Sequence, residues 1–364
     1  GSKDPSFLGK LKNAWDVEFQ KNAQLILVLC GSVSTWITEN IINSTGFFGR
    51  ISLYITLEEL SLSESKDLLA QKKFRGSSYD LFKILSITGG VPWYLEQIQP
   101  KLSADANIKK HCFSPEGIFV NEFDRIFHDI FENRTTLYLT LVNTLADGPK
   151  SYEELSQGLN YTSSGALSRY LDDLIETGFI SRDFTWDLKK GKKSRLSHYR
   201  LADNYLRFYL KYISPRKEDI REDRLQDLEL RNLKGWSTIM GLQFENLVLK
   251  NRKKIWERLK ISPGDIVCDG PFFQRATTIQ PGCQIDYMIQ TRFNTVFVCE
   301  VKFSVNEISS RIIPEMKDKF SRLKMPKQFS FWPVLIHVGG ISDALKDEEF
   351  FTEIIDFSDF LISG

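Results

Sequence analysis

The C-terminal third of the chain alternates helical and strand-like segments, and this order restricts the fold more than any other feature. Apolar residues at helical spacing predict a helix that opens at Gly241 and ends near Leu259. Three strand-like runs follow, then helical residues to Met325 and a fourth run. These runs are Asp265–Cys268, Gln284–Ile289, Thr295–Lys302 and Trp332–Val338. Helices combined with strands in this order predict an α/β domain built on one sheet.

Two carboxylates and a lysine in these runs form a candidate catalytic group. Glu300 and Lys302 are two residues apart on one predicted strand, so they share a face. If the preceding strand pairs with it through a short hairpin, Asp286 meets Glu300 at one end of the sheet. Two adjacent carboxylates need a cation, and hard oxygen ligands favour Mg²⁺ or Mn²⁺. The lysine could orient water or stabilise phosphate charge. We predict Asp286, Glu300 and Lys302 as catalytic residues.

The spacing of these residues is similar to that of the PD-(D/E)xK nucleases. Asp286 is followed by thirteen residues and then by Glu300-Val301-Lys302 at the end of an apolar strand. The resemblance implies a restriction-endonuclease-like fold and a metal-dependent DNA nuclease. It also implies that Glu245, in the preceding helix, joins Asp286 and Glu300 as a metal ligand. A surface Asp and a Glu/Lys strand end also occur in other α/β domains, so a structural role stays open.

Residues 131–215 have the order of a winged helix-turn-helix. Helices are predicted over Thr135–Leu145, from Ser151 with a Ser/Glu capping pattern, and over Ser163–Thr177. Two strands, Phe179–Trp186 and Ser197–Leu201, then form a hairpin. The predicted connection between these strands, residues 189–195, holds five basic residues out of seven.

Basic side chains in the winged helix could contact the phosphates of DNA, which gives affinity without sequence information. The candidate DNA-binding residues are Arg169, Lys189, Lys190, Lys192, Lys193 and Arg195. The third helix also carries Asp172, Asp173 and Glu176, which would face a phosphate backbone poorly. A DNA-binding module and a protein-binding module therefore both stay open.

The region up to residue 130 combines strand-like and helical segments. Leu25–Cys30 is apolar on both faces, which is typical of a strand inside a parallel sheet, and Ile51–Leu57 is a second predicted strand. Ser61 and Glu64 predict a capping box at a helix start. One strand that is apolar on both faces cannot make a parallel sheet by itself. Either the chain is a fragment of a longer protein, which we favour, or this strand pairs with a distant segment. An unpaired strand would also be a site of self-association.

The order of these parts resembles the archaeal-type ATPases of the STAND/AAA+-related class, over nearly the whole chain. Leu25–Cys30 with Ser32 looks like the strand and sensor position after the Walker B strand. Gly49-Arg50 looks like a segment whose Arg reaches the γ-phosphate. Gly90-Val91-Pro92 is similar to a lid motif whose Pro packs against adenine. The resemblance implies nucleotide-related roles for Ser32, Arg50 and Pro92, and places ATP only in the full-length protein.

The sequence lacks the phosphate-binding loop that such an ATPase needs. Gly-x-x-x-x-Gly-Lys-Ser/Thr does not occur, and without it there is no phosphate cradle and no Mg²⁺-binding hydroxyl. We therefore expect no ATP hydrolysis by this chain alone. The expected partners are DNA and the missing ATPase half or an oligomer partner.

Charge and composition exclude several classes of protein. With 48 Lys and Arg against 47 Asp and Glu, the net charge is +1, so a uniformly basic nucleic-acid binder is excluded. No run approaches the roughly 20 apolar residues that span a bilayer. Five Cys without a Cys-x-x-Cys pair favour a reduced, cytoplasmic protein. Gly1-Ser2 is treated as a tag remnant.

These observations predict an α/β protein of four segments. They are a partial P-loop ATPase core with a helical lid (3–130), a winged helix-turn-helix (131–215), a linker (216–235) and a nuclease-like α/β domain (236–364). Two functions stay open. One is a metal-dependent DNA nuclease within an ATP-binding protein. The other is a non-catalytic regulatory or protein-interaction module of a nucleotide-switched ATPase.

Overall fold

The chain is a mixed α/β protein, as the sequence predicts. The computed structural model describes Asp4 and residues 6–30, 37–131, 135–159, 164–278 and 280–362. Two sheets are present in these ranges, one of three strands and one of five. None of the helices in the same ranges has the length and apolar character that a bilayer crossing requires.

Helices dominate the region before the first sheet. They are α1 (Phe7–Val17), α2 (Leu62–Gln71), α3 (Ser78–Thr88), α4 (Pro92–Glu96), α5 (Ala104–Cys112) and α6 (Ile118–Phe131). The predicted capping box opens α2: the Ser61 side chain accepts from the Glu64 backbone N–H, and Glu64 accepts from the Ser61 backbone N–H. Gly90, which follows α3, must be a glycine because its backbone lies close to residue 60. An added Cβ would lie 2.2 Å from the Leu60 carbonyl oxygen.

Two segments predicted as strands are not strands. Leu25–Cys30 and Ile51–Leu57 have no regular secondary structure, and Ile26 and Leu53 are 84% and 75% exposed. A strand is stable only when its backbone groups pair with neighbouring strands, and neither segment has a sheet neighbour among the described residues. Within the described ranges, these two segments therefore form no sheet of the predicted partial P-loop core. Ser32 lies outside the described residues.

The winged helix-turn-helix pattern folds as three helices and a small antiparallel sheet. The elements are α7 (Thr135–Thr144), β1 (Lys150–Ser151), α8 (Tyr152–Gly158), α9 (Ser164–Glu176), β2 (Ile180–Asp187) and β3 (Lys192–Leu201). The strand order is β1-β3-β2. Gly178 ends α9 with a φ of 78°, a left-handed conformation that glycine adopts without strain.

The hairpin differs from its prediction. Strand β3 begins at Lys192 instead of Ser197, so Lys192, Lys193 and Arg195 lie on β3, and only residues 188–191 form the turn. The strand character of residues 192–195 was not predicted because this stretch contains only basic residues and one serine. Such a pattern predicts a loop as readily as an edge strand.

The segment predicted as a charged linker is partly built into the core. It contains α11 (Lys217–Arg221), preceded by α10 (Asn204–Phe208). Ile220, Leu230 and Leu233 are buried against the same apolar cluster as the winged helix. Single apolar residues among many charges carry weak periodicity, so the pattern gave little indication of this packing.

The C-terminal region forms a five-stranded mixed sheet covered by helices. Its elements are α12 (Trp236–Lys250), α13 (Arg252–Arg258), β4 (Ile266–Gln274), β5 (Cys283–Thr291), β6 (Thr295–Phe303), α14 (Ile312–Arg322), β7 (Ser330–Val338), α15 (Asp343–Asp347) and β8 (Glu353–Asp356). Strands β4, β5 and β6 are antiparallel neighbours, whereas β6, β7 and β8 run parallel. Ile336 packs on the α12 side and Leu335 on the α14 side.

The turn of the β2–β3 hairpin docks against the C-terminal sheet. The Trp186 indole N–H donates to Gln290 Oε1 at 2.8 Å, and the Gln290 amide donates to the Leu188 carbonyl at 2.9 Å. The His198 ring stacks on Phe273 with centroids 3.8 Å apart. Trp186 and Leu188 are buried in one apolar cluster with β4, β5 and α14. The wing is thus fixed to the neighbouring sheet.

A buried polar network joins the winged helix to α12. Arg207 is fully buried and donates to Gln243 Oε1 at 2.9 Å and to the Leu201 carbonyl at 2.8 Å. Asn246 donates to the same Leu201 carbonyl at 2.9 Å, and its side-chain oxygen accepts from Arg200. Burial lowers the pKa of Arg207 to about 9. Its hydrogen bonds are therefore essential to keeping a charge in the interior.

Replacing the Arg207 acceptor on α12 is expected to destabilise the protein. Gln243→Leu adds apolar surface at a fully buried position but leaves a buried guanidinium without its partner. We expect a loss of about 3–5 kcal/mol in the free energy of unfolding, measured by urea denaturation. The matched control Gln226→Leu, at an exposed position, should change stability by no more than about 0.5 kcal/mol. Equal effects of the two variants would contradict the role of this network.

Candidate active site

The pairing of β5 with β6 brings the two predicted carboxylates together. Tyr287 pairs with Cys299, so Asp286 and Glu300 come next on the two strands at the end of this ladder. The Val301 backbone N–H donates to Asp286 Oδ2 at 2.9 Å, which fixes that carboxylate. Asp286 retains 15% side-chain exposure and Glu300 only 4%. The site therefore lies at the edge of the core, and Asp286 is the more exposed of its two carboxylates.

Two lysine ammonium groups contact these carboxylates. Lys302 Nζ lies 3.0 Å from Glu300 Oε1 and 3.3 Å from Glu315 Oε2. Lys319 Nζ, from α14, forms an ion pair with Glu300 Oε2 and lies 3.6 Å from Asp286 Oδ1. Burial opposes the charged form of both lysines, but the surrounding carboxylates outweigh it and raise the pKa of each. Both ammonium groups therefore stay charged near neutral pH.

Burial raises the pKa of Asp286 and of Glu245 on the neighbouring helix α12. The pKa of Asp286 rises to about 6 through burial and then through the charge of Glu300. Glu245, partly buried on α12, has its pKa raised to about 8 by burial and then by Asp286. Arg207 and Arg200 oppose this shift of Glu245. Asp286 and Glu245 are thus electrostatically linked, and an added cation nearby would lower the pKa of both.

The donor chemistry of the site suits a divalent cation. Asp286 and Glu300 converge on one point, and hard carboxylate oxygens are the ligands that Mg²⁺ and Mn²⁺ prefer. The Lys319 ammonium group occupies that point. Within the described ranges, no group of three or more His, Cys, Asp or Glu side chains is arranged to hold a metal ion. Asp286 and Glu300 fit as two ligands, and Glu245 on α12 interacts electrostatically with Asp286.

The predicted DNA-binding residues lie on two surfaces of the winged helix. Arg169 is exposed on α9, as are Lys192, Lys193 and Arg195 on β3. Lys189 and Lys190 are exposed in the hairpin turn. Docking of the turn through Trp186 and Leu188 leaves these basic side chains in solvent.

The two described residues with predicted nucleotide roles lie in separate elements. Arg50 makes a two-pronged ion pair with Asp16 of α1, with Nε–Oδ1 at 2.8 Å and Nη2–Oδ2 at 2.9 Å. This contact fixes residues 45–50 against α1. Pro92 is exposed at the first position of α4, where its fixed φ favours a helix start. The structure thus gives Arg50 and Pro92 local structural roles.

Sequence reasoning missed Lys319, the residue that bridges the two carboxylates. A signal was present in α14. The apolar stripe of this helix contains Ile312 and Met316, and position 319 falls on the same stripe at helical spacing. A lysine on a stripe that faces the core indicates a buried acidic partner. The helix joins the parallel strands β6 and β7, so this stripe must face the sheet.

The chain has a distant similarity in sequence to a curated archaeal protein. The chain is 24% identical over 246 residues to an uncharacterized protein, MJECL04, of Methanocaldococcus jannaschii. The match covers 67% of this chain and 53% of the relative, so the chain spans about half the length of the curated relative it matches. A scan against protein-family models found no match. The relationship carries no functional description.

The raised pKa of Glu245 predicts a pH dependence of stability in the absence of divalent ions. The folded state holds this proton to about pH 8, whereas an unfolded Glu releases it near 4.5. Stability should therefore fall as pH rises between these values. Glu245→Gln cannot ionise, so we expect its loss of stability from pH 5 to pH 9 to be smaller by about 2 kcal/mol or more.

Urea denaturation at the two pH values, with EDTA present, measures this difference. The control Glu257→Gln replaces an exposed carboxyl on α13 and should follow the unmodified protein. The same pH slope for Glu245→Gln and the unmodified protein would show that Glu245 ionises normally in the folded state.

Proposed function

We propose that the C-terminal domain is a metal-dependent DNA nuclease with a restriction-endonuclease-like fold, and that the chain is the C-terminal portion of an archaeal-type ATP-binding protein. The observation that carries the nuclease proposal is the convergence of Asp286 and Glu300 at the end of the β5–β6 ladder. Lys302, two residues after Glu300, contacts it at 3.0 Å. This arrangement supports the roles proposed for these residues from the Asp and Glu-x-Lys spacing.

The surroundings of the site support the proposal. Helix α12 packs against β6 and carries Glu245, which interacts electrostatically with Asp286. Helix α14 covers the opposite face of the sheet and supplies a further cation. The carboxylates are thus held on rigid strands, and their neighbouring helices limit the access of water. Precise positioning of this kind is what phosphodiester chemistry requires.

Each residue has a distinct role in the proposed reaction. Asp286 and Glu300 would hold Mg²⁺ or Mn²⁺, and Glu245 would complete the acidic group. A bound divalent ion supplies Lewis acidity that polarises the phosphate. The Val301 N–H orients the Asp286 carboxylate. Lys302, whose side chain is 37% exposed, can reach solvent to orient the attacking water or stabilise charge on the phosphate.

A non-catalytic regulatory module is the second candidate function. The observation in its favour is the ion pair of Lys319 with Glu300, close to Asp286, because a resident ammonium group already compensates the carboxylates. In this function the domain would serve as a structural or protein-binding part of a nucleotide-switched ATPase. The proposed ATP site would require a phosphate-binding loop, which this sequence does not contain, so ATP binding is not assigned to this chain.

Cleavage of DNA in the presence of Mg²⁺ or Mn²⁺ tests the nuclease proposal. We expect nicking or cleavage of supercoiled, linear or branched DNA, with a rate at least about 10³-fold lower in Asp286→Asn and Glu300→Gln, because each removes a metal-binding charge. The control Asp318→Asn makes the same chemical change on α14, where Asp318 pairs with Arg322 on the surface. It should retain the full rate.

The outcomes separate the two candidate functions. Loss of cleavage in Asp286→Asn but not in Asp318→Asn supports a nuclease site. Absence of cleavage by this chain and by the longer protein with ATP, together with unchanged folding of the variants, would favour the regulatory function. Cleavage that persists in Asp286→Asn would point to a contaminating enzyme and contradict the assigned site.

DNA binding by the winged helix is tested through its salt dependence. Replacing Lys189, Lys192 and Lys193 by Ala should weaken binding and reduce the slope of log K against log salt concentration. The reduction should be up to about 0.9 for each phosphate that the variant no longer neutralises. Fluorescence anisotropy with labelled duplex DNA measures both quantities. A control with Ala at Lys66, Lys101 and Lys110, which are exposed in the helical region, should keep the slope. Equal slopes for all proteins would show that the hairpin does not contact phosphate.

A further inference from the structure

Lys319 differs from the other cation at the site by its position between the two carboxylates. It projects from the last turns of α14, and its Nζ contacts Glu300 Oε2 and approaches Asp286 Oδ1 to 3.6 Å. Lys302 instead contacts the other oxygen of Glu300 and the exposed Glu315. Lys319 thus occupies the point on which the predicted metal ligands converge, whereas Lys302 lies beside it.

We propose that Lys319 is a resident cation that competes with a divalent metal ion for the point between Asp286 and Glu300. Metal binding then requires the Lys319 side chain to leave this point. The inference rests on the proposed function, because it takes Asp286 and Glu300 as metal ligands. It adds a residue that the Asp and Glu-x-Lys pattern does not contain.

Electrostatics explains why a cation is built into the metal-free site. Two carboxylates removed from water repel each other, and leaving them without a partner would strongly destabilise the fold. The Lys319 ammonium group supplies the compensating charge. A divalent ion at the same point would lie within a few ångströms of that ammonium group and be repelled by it. The two cations therefore exclude each other.

The lysine side chain has a route out of the site. It is one quarter exposed, and a lysine carries its charge on a flexible four-carbon chain. The Lys319 ammonium group can move into solvent while the helix backbone stays packed through Met316. The exchange would replace one positive charge by two between the carboxylates. The metal-free site would thus be held closed and electrically compensated until a divalent ion displaces the lysine.

Binding of Mn²⁺ to the full chain, followed by electron paramagnetic resonance, tests the competition. We expect Lys319→Met to bind Mn²⁺ at least about tenfold more tightly than the unmodified protein, because the competing charge is gone. Lys302→Met is the matched control, since it removes one positive charge from contact with the same Glu300. Lys302→Met leaves Lys319 between Asp286 and Glu300, so its gain in Mn²⁺ affinity should be clearly smaller than that of Lys319→Met. Asp286→Asn should weaken binding in either background.

Three results would overturn the inference in different ways. Equal gains in Lys319→Met and Lys302→Met would show a general charge effect without competition for one point. Unchanged affinity in Lys319→Met, with Asp286-dependent binding in the unmodified protein, would refute the competition and leave the proposed metal site intact. No Asp286-dependent Mn²⁺ binding in any properly folded protein would refute both the competition and the metal-dependent nuclease.

A measurement on the unmodified protein covers the case in which Lys319→Met does not fold. Acetylation of lysines, quantified by mass spectrometry, reports how freely each ammonium group reaches solvent. We expect Mn²⁺ to increase the acetylation rate of Lys319 several-fold, relative to the exposed Lys346 as an internal reference. The increase should be absent in Asp286→Asn. A Lys319 rate that stays constant or falls at saturating Mn²⁺ would contradict displacement.

Discussion

The buried guanidinium of Arg207 holds together the parts of the molecule that the site depends on. It lies between the end of β3 and α12, and its hydrogen bonds to the Leu201 carbonyl and Gln243 tie the winged helix to the helix that carries Glu245. A charge buried at this depth is tolerated only in one well-defined arrangement of acceptors. The network therefore fixes the position of α12 against the sheet. The same arginine also opposes the raised pKa of Glu245.

Packing of the helical region and of the hairpin completes this arrangement. Phe82 of α3 packs against Phe244 of α12 edge to face, with ring centroids 5.9 Å apart, so the N-terminal helical region contacts the C-terminal region directly. On the other face of the sheet, Trp186 of the hairpin packs on Phe272. The segments predicted as separate units thus share apolar clusters. A conformational change in the N-terminal helices or in the β2–β3 hairpin would therefore alter the packing on the sheet that carries Asp286 and Glu300.

The sequence predicted the local elements well wherever a repeating pattern or a capping residue was present. The capping box at Ser61 and the helices and hairpin strands of residues 135–201 follow from local signals that act within a few residues. The strands carrying Asp286 and Glu300 were located for the same reason. The strand at Leu25–Cys30 was predicted wrongly, because apolar character favours a strand only when neighbouring strands supply hydrogen bonds. Docking of the hairpin and burial of the linker were missed, because both depend on contacts between residues distant in sequence.

For the candidate site, the sequence by itself determined which residue types lie on the two strands, and that Glu300 and Lys302 share a face, because the two-residue period of a strand is a local property. Only the tertiary structure decided that β5 and β6 pair in the register that aligns Asp286 with Glu300. It also decided that Lys319 of α14 bridges them and that burial raises the pKa values of Asp286 and Glu245. These features arise from the packing of helices on the sheet, where removal of water and the approach of charges depend on the whole fold.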